Sequence, residues 1–235
     1  MNDITVLSTF AEDKIIDNNK IIKTQKGGPA FYILNVFQKT NLSIEIIKGP
    51  ILKIEMILKK EGEAGKVKTG IKVKKINFSK IKSQFIIIST ILNEFDLSGI
   101  STFSGKIFLD IQGYVRKGED LGGKKKWIFS KEIFSSIFCL KGTQEEIRYL
   151  QKDFLKEQKK KILIVTNGKI GCTIFAFEKK YEIKNIRKVN APDTIGAGDT
   201  FFAHFIYKFI KTSNVVSSGR YAVAKTSNFL EYKKQ

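Results

Sequence analysis

The chain has 235 residues, 42% hydrophobic and 28% charged, a balance that suits one sizeable folded domain with its own core. A single histidine and two cysteines (Cys139 and Cys172) argue against a histidine-based zinc site, a Ser-His-Asp triad or a disulfide framework, and no apolar run reaches the roughly 20 residues that span a bilayer. The net charge of +19 invites a nucleic-acid partner, but the basic residues are spread along the whole length and only Arg116, Arg148, Arg187 and Arg220 are arginines, so a dedicated nucleic-acid surface is not expected.

In chain order, Met1–Leu7 carries an early acid and no basic stretch before its apolar residues, so no secretory leader is expected and the default location is a reducing cytoplasm. Residues 51–59 and 66–73 alternate apolar and polar around Gly62-Glu63-Ala64-Gly65, which predicts an antiparallel hairpin with one wet face. From residue 84 the pattern changes to short, almost wholly apolar strands: Phe85–Ile88, Ile107–Leu109, Ile137–Leu140 and Ile162–Val165. The segments between them are long enough for helices, the clearest being Glu145 to Gln158. Strands apolar on both faces and separated by helices predict a doubly wound, mostly parallel α/β sheet. Each strand runs into a small or polar cluster (Ser89-Thr90, Asp110–Gly113, Lys141–Thr143, Thr166–Gly168), and ligands in open α/β sheets gather at such carboxyl ends. A second hairpin is expected from Cys172–Phe177 and Tyr181–Ile186, and two helices, 198–211 and 215–230, close the chain.

The stretch Asp193-Thr194-Ile195-Gly196-Ala197-Gly198-Asp199 carries the chemistry. Its two glycines let the backbone turn tightly, and Phe201, Phe202, Phe205, Ile206, Phe209 and Ile210 follow at helical spacing. The loop therefore opens a helix whose free amides suit an anion. Asp199 fits two readings: a first-turn helix acid, or a base that takes a proton from an alcohol as a phosphoryl group is transferred. No Gly-x-x-x-x-Gly-Lys-Ser/Thr loop is present, and Gly196-x-Gly198 lacks the third glycine and the following strand of a dinucleotide unit.

Asp193–Asp199 resembles the C-terminal signature of the ribokinase-like, PfkB-type carbohydrate kinases. Further segments resemble that family in the same order: Asp13 soon after the first strand, Gly27-Gly28-Pro29-Ala30, Asp110–Arg116, and Thr166-Asn167-Gly168-Lys169-Ile170-Gly171. The resemblance implies one domain over 1–235, with a small β lid from parts of 11–26 and 51–75. It implies an ATP- and Mg²⁺-dependent phosphotransferase acting on a hydroxyl of a sugar, polyol or nucleoside. Gly196, Ala197 and Gly198 would give amides to the phosphoryl group, and Asp199 would be the base. Asp13, Gly27 and Gly28 would bind the acceptor; Thr166, Gly168 and Gly171 would lie along ATP, with Asn228 near the adenine. The lid would exclude water and offer a surface for a homodimer.

Two departures accompany it. The family's Asn-x-x-Glu element falls on Thr143-Gln144-Glu145-Glu146, so Thr143 replaces the Asn and Glu146 is the one candidate metal ligand. The chain is also shorter than typical members, which leads one to expect missing peripheral strands and a reduced lid. Two other classes remain at this point: a catalytically idle, kinase-like nucleotide-binding protein, and a basic nucleic-acid-binding α/β protein whose glycine loop is only a turn. Asp13 could equally be a surface acid and Gly27-Gly28 a plain loop; His204, five positions after Asp199, reads as structural.

Overall fold

A computed structural model describes residues 2–17, 20–58, 63–68, 70–118, 120–187, 189–191 and 193–233. In chain order it runs β1 (Ile4–Ser8), β2 (Ala11–Asp17), β3 (Lys20–Gly27), α1 (Pro29–Phe37), β4 (Ile44–Lys48), β5 (Leu52–Leu58) and β6 (Glu63–Val67). Then come the two-residue β7 (Lys74–Lys75), β8 (Phe85–Ser89), the two-residue β9 (Phe95–Asp96), β10 (Lys106–Asp110) and the one-turn helix α2 (Gln112–Val115). They are followed by β11 (Arg116–Lys117), β12 (Asp120–Lys124), α3 (Lys131–Ser136), β13 (Ile137–Thr143), α4 (Gln144–Ile147) and α5 (Lys152–Gln158). The rest is β14 (Ile162–Thr166), β15 (Gly171–Ala176), β16 (Lys179–Lys184), α6 (Ala197–Thr212) and α7 (Val215–Tyr232).

The main layer is an eight-stranded sheet in the order β16-β15-β14-β13-β10-β8-β1-β4. Strands β4 through β14 pair in parallel, and β15 and β16 add an antiparallel edge. The apolar runs are buried on both faces because successive side chains point to opposite sides. Ile87, Phe108, Cys139, Ile162 and Ile164 pack towards α1, α6 and α7 with Ile33, Phe202 and Phe205. Ile86, Ile88, Leu109, Leu140 and Leu163 pack the other way, against Phe78, Tyr114, Trp127 and Phe154. The doubly wound, mostly parallel α/β architecture read from the sequence is thus the observed one.

A second sheet of six strands, β11-β12-β6-β5-β2-β3, stands over the carboxyl end of the first. β5 and β6 form the expected antiparallel hairpin, but its second arm comes earlier than expected: Glu63, Ala64 and Gly65, read as turn, pair within β6, residues 70–73 are not strand, and Gly62 lies outside the described residues. Leu52, Ile54 and Met56 face inward while Lys53 and Ile57 are exposed, so one side is dry and one wet. Its dry side forms a third apolar cluster with Ala11, Ile15, Tyr32, Val67, Ile91, Leu121 and Ile195. The chain crosses from the main sheet to this sheet three times by short links: Ser8 to Ala11, Lys48 to Leu52, and Asp110 to Arg116 through α2.

The single helix expected over 145–158 is two helices, α4 and α5. Gln151 is extended between them, and the Tyr149 carbonyl accepts the Trp127 amide at 3.2 Å instead of continuing a helical ladder. Among the described residues the main sheet has eight strands and the second sheet six.

Candidate active site

The signature loop is shaped by its own side chains. Asp193 Oδ1 accepts the Ile195 amide at 2.8 Å, closing a tight turn. Its other oxygen pairs with Lys233 Nζ at 2.8 Å, and that ammonium also donates to the Ile195 carbonyl, so the end of the chain fastens the loop. Gly196 has φ 80°, and a side chain there would drive into the Tyr32 ring of α1, so both conformation and space demand glycine.

Helix α6 then starts with Gly196, not Asp199, as its N-cap. The Ala197 amide is donated to the Thr194 carbonyl at 3.0 Å, whereas the Gly198 and Asp199 amides take no hydrogen-bond acceptor among the described residues. Of the three amides assigned by resemblance, that of Ala197 is therefore engaged within the loop, while those of Gly196 and Gly198 take no acceptor among the described residues. A buried phenylalanine stripe (Phe201, Phe202, Phe205, Phe209) anchors the helix below them.

Asp199 lines a cavity of about 100 Å³ at the junction of the two sheets. Its carboxylate accepts Ser89 Oγ at 3.1 Å, from the end of β8. Burial pushes its pKa up to about 7, with Asp110 adding to the rise and Lys141, Ser89 and Arg116 opposing it. A carboxyl group poised there can hold or release a proton near neutrality. Asp199 is the acid in the first turn of α6, as the bland reading has it, but its side chain makes no capping hydrogen bond and it lines this cavity.

The same cavity is lined by Asp13 from β2, Gly28 at the mouth of α1, Gly196 and Gly198, so residues named from distant parts of the sequence converge. Asp13 is only 2% exposed, and its carboxylate lies so close to Gly27 that a side chain at 27 would occupy its place. Gly28, at φ 81°, tucks against the Thr9 carbonyl and the Ala11 amide. Ile54, Met56, Leu121 and Ile91 give the cavity an apolar wall from the second sheet and from the end of β8.

Three polar lining residues were not singled out from the sequence: Lys141, Gln112 and Arg116. Lys141 lies near the end of β13 and is 3% exposed; its Nζ lies 2.6 Å from Asp110 Oδ2 at the end of β10. Asp110 Oδ1 accepts the Gln112 amide at 3.1 Å, so this carboxylate is held inside the protein as a counter-ion. The Lys141 ammonium lies 3.0 Å from where a Gly198 side chain would begin, directly beside the open amides. Nearby acids raise the Lys141 pKa against the effect of burial, which keeps it a cation.

The remaining residues assigned by resemblance lie outside this cavity. Thr166 ends β14 opposite Thr143 in register, and a short turn, 168–170, follows it. The Ile170 carbonyl accepts the Asn185 amide at 2.8 Å, and Asn185 Oδ1 accepts Ser227 Oγ at 3.1 Å, joining this turn to α7. Asn228 accepts Arg187 Nη1 at 3.1 Å and lines an open groove with Arg187, Glu231 and Tyr232. Glu146 forms a capping box with Thr143, its Oε2 accepting the Thr143 amide at 2.8 Å. Among the described residues no group of three or more histidine, cysteine or acidic side chains could cage a metal ion. Mg²⁺ rarely needs such a cage: one carboxylate with phosphate oxygens and waters suffices, and Glu146 retains one carboxylate oxygen for it. His204 lies on α6 against the ring of Tyr221, and both cysteines are buried. No helix among the described residues is long and apolar enough to cross a membrane.

Residues 128–231 match the model of the pfkB family carbohydrate kinases. No curated protein matches the sequence. Among solved structures, a pyrophosphate-dependent kinase in the ribokinase family, complexed with a pyrophosphate analog and myo-inositol, superposes with a TM-score of 0.76 at 18% identity, covering 97% of this chain and 95% of that one. The nucleoside kinase of Methanocaldococcus jannaschii gives 0.73 at 17% identity, covering 98% and 92%. The ribokinase of Arabidopsis thaliana, complexed with ribose and ATP, gives 0.65 at 15%, covering 98% and 93%. The resemblance read from the signature heptad holds, and the fold is that of the ribokinases over nearly the whole length of these neighbours.

Proposed function

From a chain with the ribokinase fold and a PfkB-type C-terminal half, we propose a small-molecule kinase. It transfers the terminal phosphoryl group of ATP to a hydroxyl of a sugar, polyol or nucleoside. The observation that carries this reading is the Asp199 carboxyl group, raised towards neutrality, beside the open Gly198 and Asp199 amides and in one cavity with Asp13.

In this reading Asp13, with Gly27 and Gly28 behind it, holds the acceptor's hydroxyls. Asp199 takes the proton of the attacking hydroxyl, which makes that oxygen a nucleophile towards the phosphoryl group. The amides at the start of α6 and the helix's positive end receive the phosphoryl oxygens, and Lys141 adds a fixed cation beside them. Charge spread over those oxygens in transit is stabilised by donors already in place, in a cavity with an apolar wall that strengthens each interaction. Thr166, Gly168 and Gly171 line the donor's path and Asn228 marks its base end, a reading supported by the hydrogen bonds that tie the 168–170 turn to α7. Glu146 would hold Mg²⁺, which supplies neutralisation of the donor phosphates when bound.

An assay of donor consumption against sugars, polyols (including myo-inositol) and nucleosides tests the proposal, with ATP and pyrophosphate each offered as donor. Wild type should turn over at least one acceptor. Asp199→Asn should lose about 10²–10⁴ in kcat while retaining donor binding. Donor binding without turnover across the panel would establish the idle, nucleotide-binding alternative instead.

A further inference from the structure

Arg116 is a buried cation. It begins β11, where the chain passes from α2 into the second sheet, and is 8% exposed. Among the described residues no ion pair includes it. Nη1 donates to the Ile91 carbonyl at 3.3 Å, and Nε has no partner. A guanidinium presents Nε–H and one Nη2–H along a single edge, the edge that matches two oxygens of a carboxylate or phosphate. With Nη1 tied to Ile91 and Nε unpaired in the interior, the guanidinium is only partly used, and the residue lines the same cavity as Asp199, Gln112 and Lys141.

Two acids feel its charge, and neither forms an ion pair with it among the described residues. Glu94 turns its carboxylate into the Ile91 and Leu92 amides, and burial pushes its pKa up. Asp199 is held towards its protonated form by burial. An arginine stays charged at any ordinary pH, and a buried charge without a partner is costly. A structure that retains one at the rim of a ligand cavity leaves the partner to be supplied by the ligand.

We propose that Arg116 is a ligand-binding residue whose guanidinium receives a phosphate-type oxyanion. The proposal rests on the kinase reading above and deepens it. The oxyanion has two sources, the phosphoryl group in transit or a phosphate already carried by the acceptor. The position of Arg116, between the wall of the second sheet and Asp199, suits both.

The experiment compares wild type, Arg116→Lys and Arg116→Gln, each with its unfolding temperature measured. Pyrophosphate and ribose 5-phosphate are titrated calorimetrically, and turnover is measured on matched acceptor pairs: ribose and ribose 5-phosphate, a nucleoside and its 5′-monophosphate. Binding of at least one phosphate probe should weaken about tenfold or more in Arg116→Gln, with partial recovery in Arg116→Lys, since each factor of ten is the loss of about 1.4 kcal/mol of contact. A fall in kcat on neutral acceptors, with acceptor KM unchanged, assigns the oxyanion to the phosphoryl group in transit. A rise in KM confined to phosphorylated acceptors assigns it to the acceptor. If both probes bind all three proteins alike and only the unfolding temperature falls, Arg116 is a structural tie to Ile91 and the proposal is wrong. Should wild type turn over no acceptor, the kinase reading fails, while the two titrations still decide whether Arg116 holds an oxyanion.

Discussion

At the scale of single residues, the chemistry hangs on how Asp199 and Lys141 are charged. The carboxyl pKa of Asp199 is raised to about 7 from an ordinary 3.8. The ionised form is the one that accepts a proton, so kcat/KM should rise with pH through about 7 and level off above it. Stability should run the other way: between the two values the folded chain keeps a proton that the unfolded chain has released, so the fold weakens as pH rises across that window. Thermal unfolding of wild type and Asp199→Asn at pH 5 and pH 8 checks this; the variant should gain on wild type at pH 8. Lys141 and Asp110 form the opposite case, a pair 4% and 0% exposed, each needing the other. Lys141→Met strands a buried carboxylate and should cost about 3–5 kcal/mol in denaturant unfolding, most of it recovered in Asp110→Asn/Lys141→Met. Neither partner's role was legible in the linear sequence. Both were visible as polar ends of apolar strands, but their meeting depends on the register that sets Asp110 against Lys141, 31 positions apart. Arg116 was hidden for a related reason: it follows a run that reads as a strand end, and only the passage of α2 into the second sheet turns it to the cavity.

At the scale of elements, the loop-and-helix unit from Asp193 to Thr212 was the most legible part of the molecule. Glycine positions, the phenylalanine stripe and the following polar break all gave its outline. Its fine geometry was not: the Ala197 amide bends back to Thr194, a choice between two neighbouring acceptors that composition cannot express. Gly196→Ala should cost about 1–2 kcal/mol for the left-handed backbone alone. The added methyl group would also push against Tyr32, so the open amides would shift and donor affinity should fall more than stability does. Calorimetric titration of the donor beside a melting curve separates the two effects. The helix expected over 145–158 failed for a tertiary reason, the Trp127 amide capturing the Tyr149 carbonyl, which local propensity has no means to register.

At the scale of the whole molecule, the apolar runs marked β8, β10, β13 and β14 of the main sheet, because strands buried on both faces announce themselves as unbroken runs of Ile, Phe and Leu, whereas the half-exposed β4 carries no such run. The second sheet was only half announced. Its β5–β6 hairpin alternates cleanly, whereas β2 and β3, rich in Lys and Asp, were placed in a β lid by the resemblance and not by their pattern, and β12, with two glycines, looks like a loop. The cavity lies between a sheet with a deep core on either face and a sheet with one dry side, and the two should differ in mobility. Hydrogen exchange should find β8, β10 and β13 protected with or without ligand, while β2 and β5 gain protection only when donor and acceptor are both bound.

The three short links that carry the chain between the sheets mean that the upper layer is stitched into the lower one at separate points of the sequence. It is not an insertion that could be cut out as one piece, nor a module that another protein could borrow whole. New acceptor preferences would therefore be expected to arise through side-chain exchange on β2, β5 and β12, or through longer turns at their far ends. The stitches themselves, which lead to Asp13 and Arg116 at the cavity, have little freedom to change length.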